Sequence, residues 1–303
     1  MEPAIRTEGL TRRFGHVMAL DGVSFEVRRG EMFGLIGPDG AGKTTLFRLL
    51  ATLLKPHAGK ASVEGHDIVA DYLAIRSRVG YMPGKFSLYP DLTVEENLDF
   101  FAALFGVPVA ENYPLIEPIY RQIEPFRTRR AGRLSGGMKQ KLALCCALIH
   151  RPAVLLLDEP TTGVDAVSRN EFWEMLARLK AEEISILVST PYMDEAYRCD
   201  RVALINEGQL LGIDTPQRLV GTFDDPLYAL QGDDMYGLLS AARGLPGVRS
   251  CHPFGETHHL TTDRGVDPRQ LAEALARQRF THVSIRPVDA GIEDVFIKRM
   301  CHD

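Results

Sequence analysis

Apolar positions along this chain recur in two rhythms. Glu31 to Ile36 reads as a strand that ends at Gly37. Ala153 to Leu157 is a continuous apolar run, as expected of a parallel strand covered on both faces, and Ile184 to Thr190 reads as its neighbour. Between these runs apolar residues return at helical spacing. Leu46, Leu49, Leu50 and Leu53 fall at i, i+3, i+4 and i+7, which predicts a helix over 44–54, stopped by Lys55 and Pro56. Leu142, Cys145, Cys146 and Ile149 repeat that spacing over 138–149, and Ser168 to Lys180 is amphipathic. Strands alternating with helices predict an α/β domain. After Leu211 the pattern becomes turn-rich. Strand candidates Leu227 to Leu230, His258 to Thr262 and His282 to Arg286 flank a helix at Pro268 to Arg279. The expected organisation is a domain over 1–213, with a helical subdomain near 85–150, a linker near 214–225, and a small α+β appendage within 214–303.

Composition narrows the class. With 303 residues, 45% hydrophobic, 25% charged and a formal charge of −5, the chain is balanced like a globular protein and carries no global basic field of the kind nucleic-acid binders show. Arg127, Arg129, Arg130 and Arg133 form a local cluster, for which a solvated face is the default. The most apolar uncharged stretch, Phe100 to Ala110, is interrupted by Gly106 and Pro108 and falls short of the roughly 20 residues of a membrane-spanning helix. The first residues show no apolar segment of the secretory type. Five cysteines (145, 146, 199, 251 and 301) make no even framework and no Cys-x-x-Cys, so core packing in a reducing compartment is the expectation.

Three motifs carry chemistry. Gly37, Pro38, Asp39, Gly40, Ala41, Gly42, Lys43, Thr44 and Thr45 contain G-x-x-x-x-G-K-T between a predicted strand and a predicted helix. Glycines there let the backbone wrap phosphates, and the helix start supplies N–H donors and the positive end of its dipole. Lys43 would reach the β- and γ-phosphates and the Thr44 hydroxyl would hold Mg²⁺. The second apolar strand ends in Asp158-Glu159-Pro160, placing one carboxylate to hold Mg²⁺ and another, Glu159, to polarise an attacking water. Leu134, Ser135, Gly136, Gly137 and Met138 form a capped, glycine-rich helix start, a second anion-binding arrangement.

Together these motifs resemble the ATP-binding cassette (ABC) family over about residues 4–212. The resemblance implies a P-loop NTPase fold of mixed sheet and helical subdomain, in which two such domains sandwich two ATP molecules. It makes Gly37 to Thr45 Walker A, Val154 to Asp158 Walker B, Glu159 the catalytic glutamate, and Leu134 to Met138 the signature that completes the partner's site. Gly163-Val164-Asp165 is similar to the D-loop, and Phe14 to the aromatic that stacks on adenine, a buried core Phe being the other reading. The runs Ser87 to Asn97, Thr162 to Asp165, Pro191 to Ala196 and Ile292 to Ile297 resemble bacterial export-type, multidrug-like ATPases. That branch implies a cytoplasmic subunit, a homo- or heterodimer, with ATP and Mg²⁺ as cofactors and a separate integral membrane permease as partner. The family resemblance also places a permease-facing groove within Phe86 to Phe105, where Phe86 and Tyr89 would suit a docking helix, core packing being the other reading.

Two positions depart from the family pattern. Gly84 stands where the Q-loop glutamine is expected, and Pro191 where the switch histidine is expected. Neither offers a side-chain hydrogen-bonding group. One lost donor at a transition state lowers the rate roughly 10²- to 10³-fold. Three readings stay open: a slow but working ATPase, a weak partner in a heterodimeric pair, or substitution by neighbours such as Lys85 or Tyr192. A soluble cassette ATPase of translation or repair would bring a second cassette or a long coiled coil, and a P-loop kinase or GTPase would lack Leu-Ser-Gly-Gly. Cys251-His252 with His258-His259 has a superficial metal-ligand look, against which a solvated hairpin is the expectation. Asp233-Asp234 reads as a turn.

Overall fold

The computed structural model describes residues 2–300, and Cys301 lies outside them. Among the described residues the chain divides at 216/217 into two compact units. The first opens with a hairpin, β1 (Ile5–Phe14) and β2 (Val17–Val27), and continues through β3 (Met32–Ile36) into α1 (Lys43–Leu50). After β4 (Ala58–Val63) and the short β5 (His66–Asp67), α2 (Tyr72–Arg76) leads to β6 (Val79–Met82). Three helices follow: α3 (Val94–Phe105), α4 (Val109–Tyr120) and α5 (Gly136–Leu148). The chain then alternates through β7 (Val154–Asp158), α6 (Ala166–Ala181), β8 (Ser185–Thr190), β9 (Arg201–Asn206) and β10 (Gln209–Asp214). The segment expected to be a linker carries a short helix, α7 (Pro216–Gly221).

Two sheets build this unit. A six-stranded sheet runs in the order β10-β9-β3-β8-β7-β6, parallel except for β10, and an antiparallel sheet runs β2-β1-β4-β5. Every residue of β3, β7 and β8 is buried, as expected when both sheet faces are covered. Phe33, Leu35, Leu156 and Leu187 share one core with Leu46, Phe47, Leu49 and Leu50 of α1 and with Ile5, Leu10 and Leu20 of the hairpin. The first helix is shorter than its periodicity predicts. It ends at Leu50, and Leu53 is 55% exposed rather than part of the apolar stripe. Alpha-helix α3 starts on a capping box, Thr93 with Glu96. Helix α4 contains Pro114 and Pro118, residues that hide a helix from sequence inspection because they remove ladder hydrogen bonds.

The second unit holds β11 (Leu227–Gln231), α8 (Met235–Arg243), β12 (Val248–Phe254), β13 (Thr257–Thr262), α9 (Pro268–Arg277), β14 (Ser284–Pro287) and α10 (Ile292–Met300). Its antiparallel sheet runs β12-β13-β11-β14, so β11 to β14 form a βαββαβ motif of ferredoxin-like order, followed by α10. Leu230, Leu238, Ala242, Cys251, Leu260, Leu271 and Leu275 make its core. Asp234 caps α8 by accepting from the Gly237 N–H, and Asp233 accepts from Thr281 and His282, so this pair ends a strand and starts a helix.

Candidate functional site

Sheet register sets the site. Ile36 lies opposite Thr190 and Asp158 opposite Ser189, so the carboxyl ends of β3, β7 and β8 finish side by side. Ligands of open α/β sheets bind beyond such strand ends. The turn after β3 begins with the Gly37 N–H donating to the Thr190 carbonyl at 3.3 Å. Pro38 is half-buried, Asp39 and Gly40 are exposed, and Ala41 is buried. Gly42 has φ 103, and a Cβ there would sit 2.3 Å from the Ala19 carbonyl oxygen, so only glycine fits. Helix α1 starts on the next residue. The backbone N–H groups of Lys43, Thr44 and Thr45 therefore head its first turn, where no intrahelical acceptor exists.

Side chains converge on that helix start. Lys43 is 3% exposed, and its Nζ donates to the carbonyls of Gly37 at 2.7 Å and Pro38 at 2.8 Å. The same ammonium pairs with Glu159 Oε1 at 3.0 Å. Thr44 and Ser189 both hydrogen-bond to Asp158, Ser189 at 2.9 Å. Burial holds the Asp158 carboxyl above its ordinary range, against the pull of those two hydrogen bonds. Burial, with Asp158 nearby, likewise pushes the Tyr81 phenol up to about 12. Glu159 adopts φ 52, in the left-handed region that non-glycine residues seldom enter. Its N–H is held by the Ser189 carbonyl and hydroxyl, at 3.2 and 3.0 Å. Thr44 and Asp158 together offer one hydroxyl and one carboxylate. Among the described residues no group of three His, Cys, Asp or Glu side chains is arranged to hold a metal ion. So sparse an oxygen donor set fits Mg²⁺, which keeps waters and completes its shell from phosphate oxygens.

The neighbouring strand ends are built differently. Beyond β6, the position of a Cβ on Gly84 lies 2.9 Å from the Asp158 carbonyl oxygen, so a side chain at 84 would press on the backbone of β7. Beyond β8, Pro191 is followed by Tyr192, whose N–H donates to Thr190 Oγ1 at 3.0 Å and whose ring lies under the Arg169 guanidinium at 4.2 Å. Behind them sits Glu195, 3% exposed, a residue that sequence reasoning passed over although its Met-Asp-Glu-Ala run stood out. Glu195 Oε2 accepts from Thr190 at 2.5 Å and from Thr161 at 3.1 Å, and Oε1 lies 3.8 Å from Arg169 Nε. This buried carboxylate ties the turn after Glu159 to the end of β8 and to α6.

The remaining candidates fall elsewhere. Leu134 is buried, and Ser135 caps α5 by accepting from the Met138 N–H at 3.4 Å. Gly136 and Gly137 lie against Gly163 and Ser168, beside the loop that carries Asp165. Asp165 caps α6, accepting from the N–H groups of Val167 and Ser168, bonds that hold its carboxyl below the ordinary range. Phe14 is 44% exposed with Arg12 stacked over its ring at 4.8 Å, so it is not a core residue. Arg127, Arg129, Arg130 and Arg133 are exposed. Phe86 and Tyr89 are partly exposed, Tyr89 edge-on to Phe100 at 4.8 Å.

The histidine–cysteine segment is a hairpin, as expected, but not a solvated one. Strand alternation sends Cys251 and His258 into the core side and His252 and His259 to the opposite face, so the four cannot share a metal.

A strand, a glycine loop and a helix with a buried lysine, set beside paired acidic residues on a parallel strand, define a P-loop nucleotide-binding protein. A family model for ABC transporter matches residues 20–162. The chain is 39% identical over 302 residues to the probable multidrug ABC transporter ATP-binding protein YbhF of Escherichia coli, covering 98% of this chain and 52% of that protein. It thus spans about half the length of that relative. It is 42% identical over 291 residues to Nod factor export ATP-binding protein I of Burkholderia lata, covering 95% and 93% of the two chains. The solved structure of cbiO1 from Clostridium perfringens, part of the ABC transporter complex cbiONQ, matches with a TM-score of 0.65 at 25% identity, over 73% of this chain and 92% of that one. The chain belongs to the ABC transporter family, among its ATP-binding proteins.

Proposed function

We propose that this chain is a Mg²⁺-dependent ATPase subunit that drives a separate membrane permease, in the export direction. The observation that carries the reading is the grouping of buried Lys43 and Asp158 with half-buried Thr44 and Glu159 at the carboxyl ends of β3 and β7. Lys43 and the α1 N–H groups would hold the phosphates, and Thr44 and Asp158 would hold Mg²⁺, whose chemistry is to neutralise charge on the transferring phosphoryl group. Glu159 would take the proton of the attacking water. Phe14, exposed at the end of β1, supplies a stacking face for adenine. Ser135 to Met138, placed at the start of α5, would complete the site of a second cassette, which makes a dimer the working unit. Residues up to 216 would be the cassette, and those from 217 a separate domain. No helix among the described residues is long and apolar enough to cross a membrane, so a permease would be another chain or segment. The partly exposed Phe86 and Tyr89 offer it an aromatic docking surface beside α3.

A second reading is favoured by the Gly84 and Pro191 positions. Because β6 and β8 end without a polar side chain at those points, this cassette would be the slower site of an asymmetric pair. Steady-state ATPase turnover of the purified chain, compared with Glu159→Gln, tests the proposal. Turnover about 10²-fold or more above the variant is expected. Equal turnover in both would leave only the weak-partner reading, which predicts that activity appears on mixing with a second cassette.

A further inference from the structure

The C-terminal unit has two unlike sheet faces. Toward α8 and α9 its strands present Leu230, Cys251 and Leu260, all fully buried in an aliphatic core. Strand alternation turns the next residues the other way, and that face carries Ser250, His252, Phe254, His259 and Thr261. Over it lie α10 and the segment around Phe223, bordering a partly open cavity of about 210 Å³ lined by residues within 223–298. A polar and aromatic face under a helix, rather than a second aliphatic core, needs an explanation.

We propose that this cavity is a small-molecule site for an uncharged planar aromatic molecule carrying a hydroxyl or amino group. Size comes first. A dry cavity of about 150 Å³ holds benzene, so about 210 Å³ has room for a substituted ring. Shape comes second. Phe254 and His259 stack at 3.7 Å with an 8° angle between rings, and with Phe223, Leu227 and Ile297 they supply flat and apolar walls.

Charge selects against ions. The two cations of the lining are already neutralised: Arg249 bonds Asp225 and Asp263, each at 2.7 Å, and Lys298 bonds Asp224 at 2.5 Å and Asp225 at 2.8 Å. Asp294, 5% exposed, is held by His259 Nδ1 at 2.6 Å and by the Gly291 N–H at 2.8 Å. An anionic ligand such as a nucleotide would have to displace one of these pairs. A hydrogen-bonding group is nevertheless wanted. His252 lines the cavity, its Nε2 is buried and has no hydrogen-bond partner among the described residues, and burial lowers its pKa so that the ring stays neutral. A buried polar atom without a partner is destabilising. A hydroxyl, which both donates and accepts, satisfies either tautomer.

Ligand-observed NMR and calorimetry on the full chain test this, with phenol and 2-naphthol as probes and benzoate and cyclohexanol as controls. Saturable binding of both probes is expected, with controls weaker by about ten-fold or more, equivalent to one lost hydrogen bond or stacking contact. Ile297→Trp, which fills the cavity from α10, should abolish probe binding while ATP binding is retained. Thr261→Phe fills it from β13 and serves if the first variant fails to fold. His252→Phe should weaken phenol several-fold and leave toluene unchanged. The proposal is overturned if neither probe saturates, if benzoate binds as tightly as phenol, or if both cavity-filling variants bind the probes like the parent chain.

Discussion

The ends of β3 and β7 alternate with the ends of β8 and β6 along one edge of the six-stranded sheet, two halves of one candidate site furnished by opposite means. At β3 and β7 the site is lined with charge: Lys43 paired with Glu159 at 3.0 Å, and Asp158 held beside them by Thr44 and Ser189. At β6 and β8 it is lined with backbone and ring: Gly84 against the Asp158 carbonyl, and Pro191 leading into Tyr192. Under the proposed function, phosphate and metal binding would draw mainly on the first half, whereas positioning of the attacking water would draw on both. The difference teaches that nucleotide affinity and turnover can be set separately in one fold.

Removing charge from the first half should have the largest effect. Lys43→Ala takes away the buried ammonium, and ATP affinity should fall roughly 10- to 100-fold, the value of a charge-assisted hydrogen bond or two. Titration with a fluorescent nucleotide measures it, and an unchanged affinity would dissolve the contrast between the halves. Next comes the buried carboxylate behind the second half. Glu195→Gln weakens its bonds to Thr161, Thr190 and Arg169 and should destabilise the unit by about 1–3 kcal/mol. Urea unfolding followed through Trp173, the chain's single tryptophan, buried on α6, reports on that unit alone.

Restoring a side chain to the second half is a sharper probe. Gly84→Gln supplies the missing amide but drives a Cβ into the backbone of β7. We expect about 1–3 kcal/mol of destabilisation and no gain in turnover; a faster enzyme would mean that β7 yields readily and that the two halves are not rigidly packed.

The smallest effect is a pH dependence at the root of β6. His150 Nε2 meets the Val79 carbonyl at 3.2 Å, its ring stacks on Phe105, and burial pushes its pKa down to about 4 from 6.5. Above 6.5 the ring is neutral in both folded and unfolded chains. Between 6.5 and 4 the unfolded chain takes up a proton that the folded chain refuses, so stability falls as pH drops through that window. Allowing for partial solvent access, the loss is about 1–2 kcal/mol. Comparing unfolding at neutral and acid pH for the parent and His150→Gln checks it; an equal acid-side loss in both would assign it to other groups.

The charged half of the site was legible in the sequence because its chemistry is local. Gly42-Lys43-Thr44 and Asp158-Glu159 sit at fixed offsets from a strand end, and backbone geometry does the rest. The tightness around Gly84 was not legible, since it depends on how closely β6 lies against β7. The burial of Glu195 was not legible either, because acidic side chains seldom go below the surface unless paired, and its partners Thr161, Thr190 and Arg169 come from three separate segments. Helix α4 was hidden by Pro114 and Pro118. In the C-terminal unit the strands, the hairpin of β12 with β13 and one helix could be anticipated, whereas α8 and α10 could not, and the polar character of one sheet face became visible only with the register of β12 on β13.

By itself, the sequence determined the phosphate loop, the acidic strand end, the glycine-rich helix start and the α/β rhythm that carries them, because each is a short-range pattern of backbone and side-chain chemistry. Tertiary structure alone decided which carboxylates are buried, which glycines have no room for a side chain, and that α10 borders a cavity over one face of the second sheet. Those properties follow from packing between segments distant in the chain, and burial, not spacing, sets their energies.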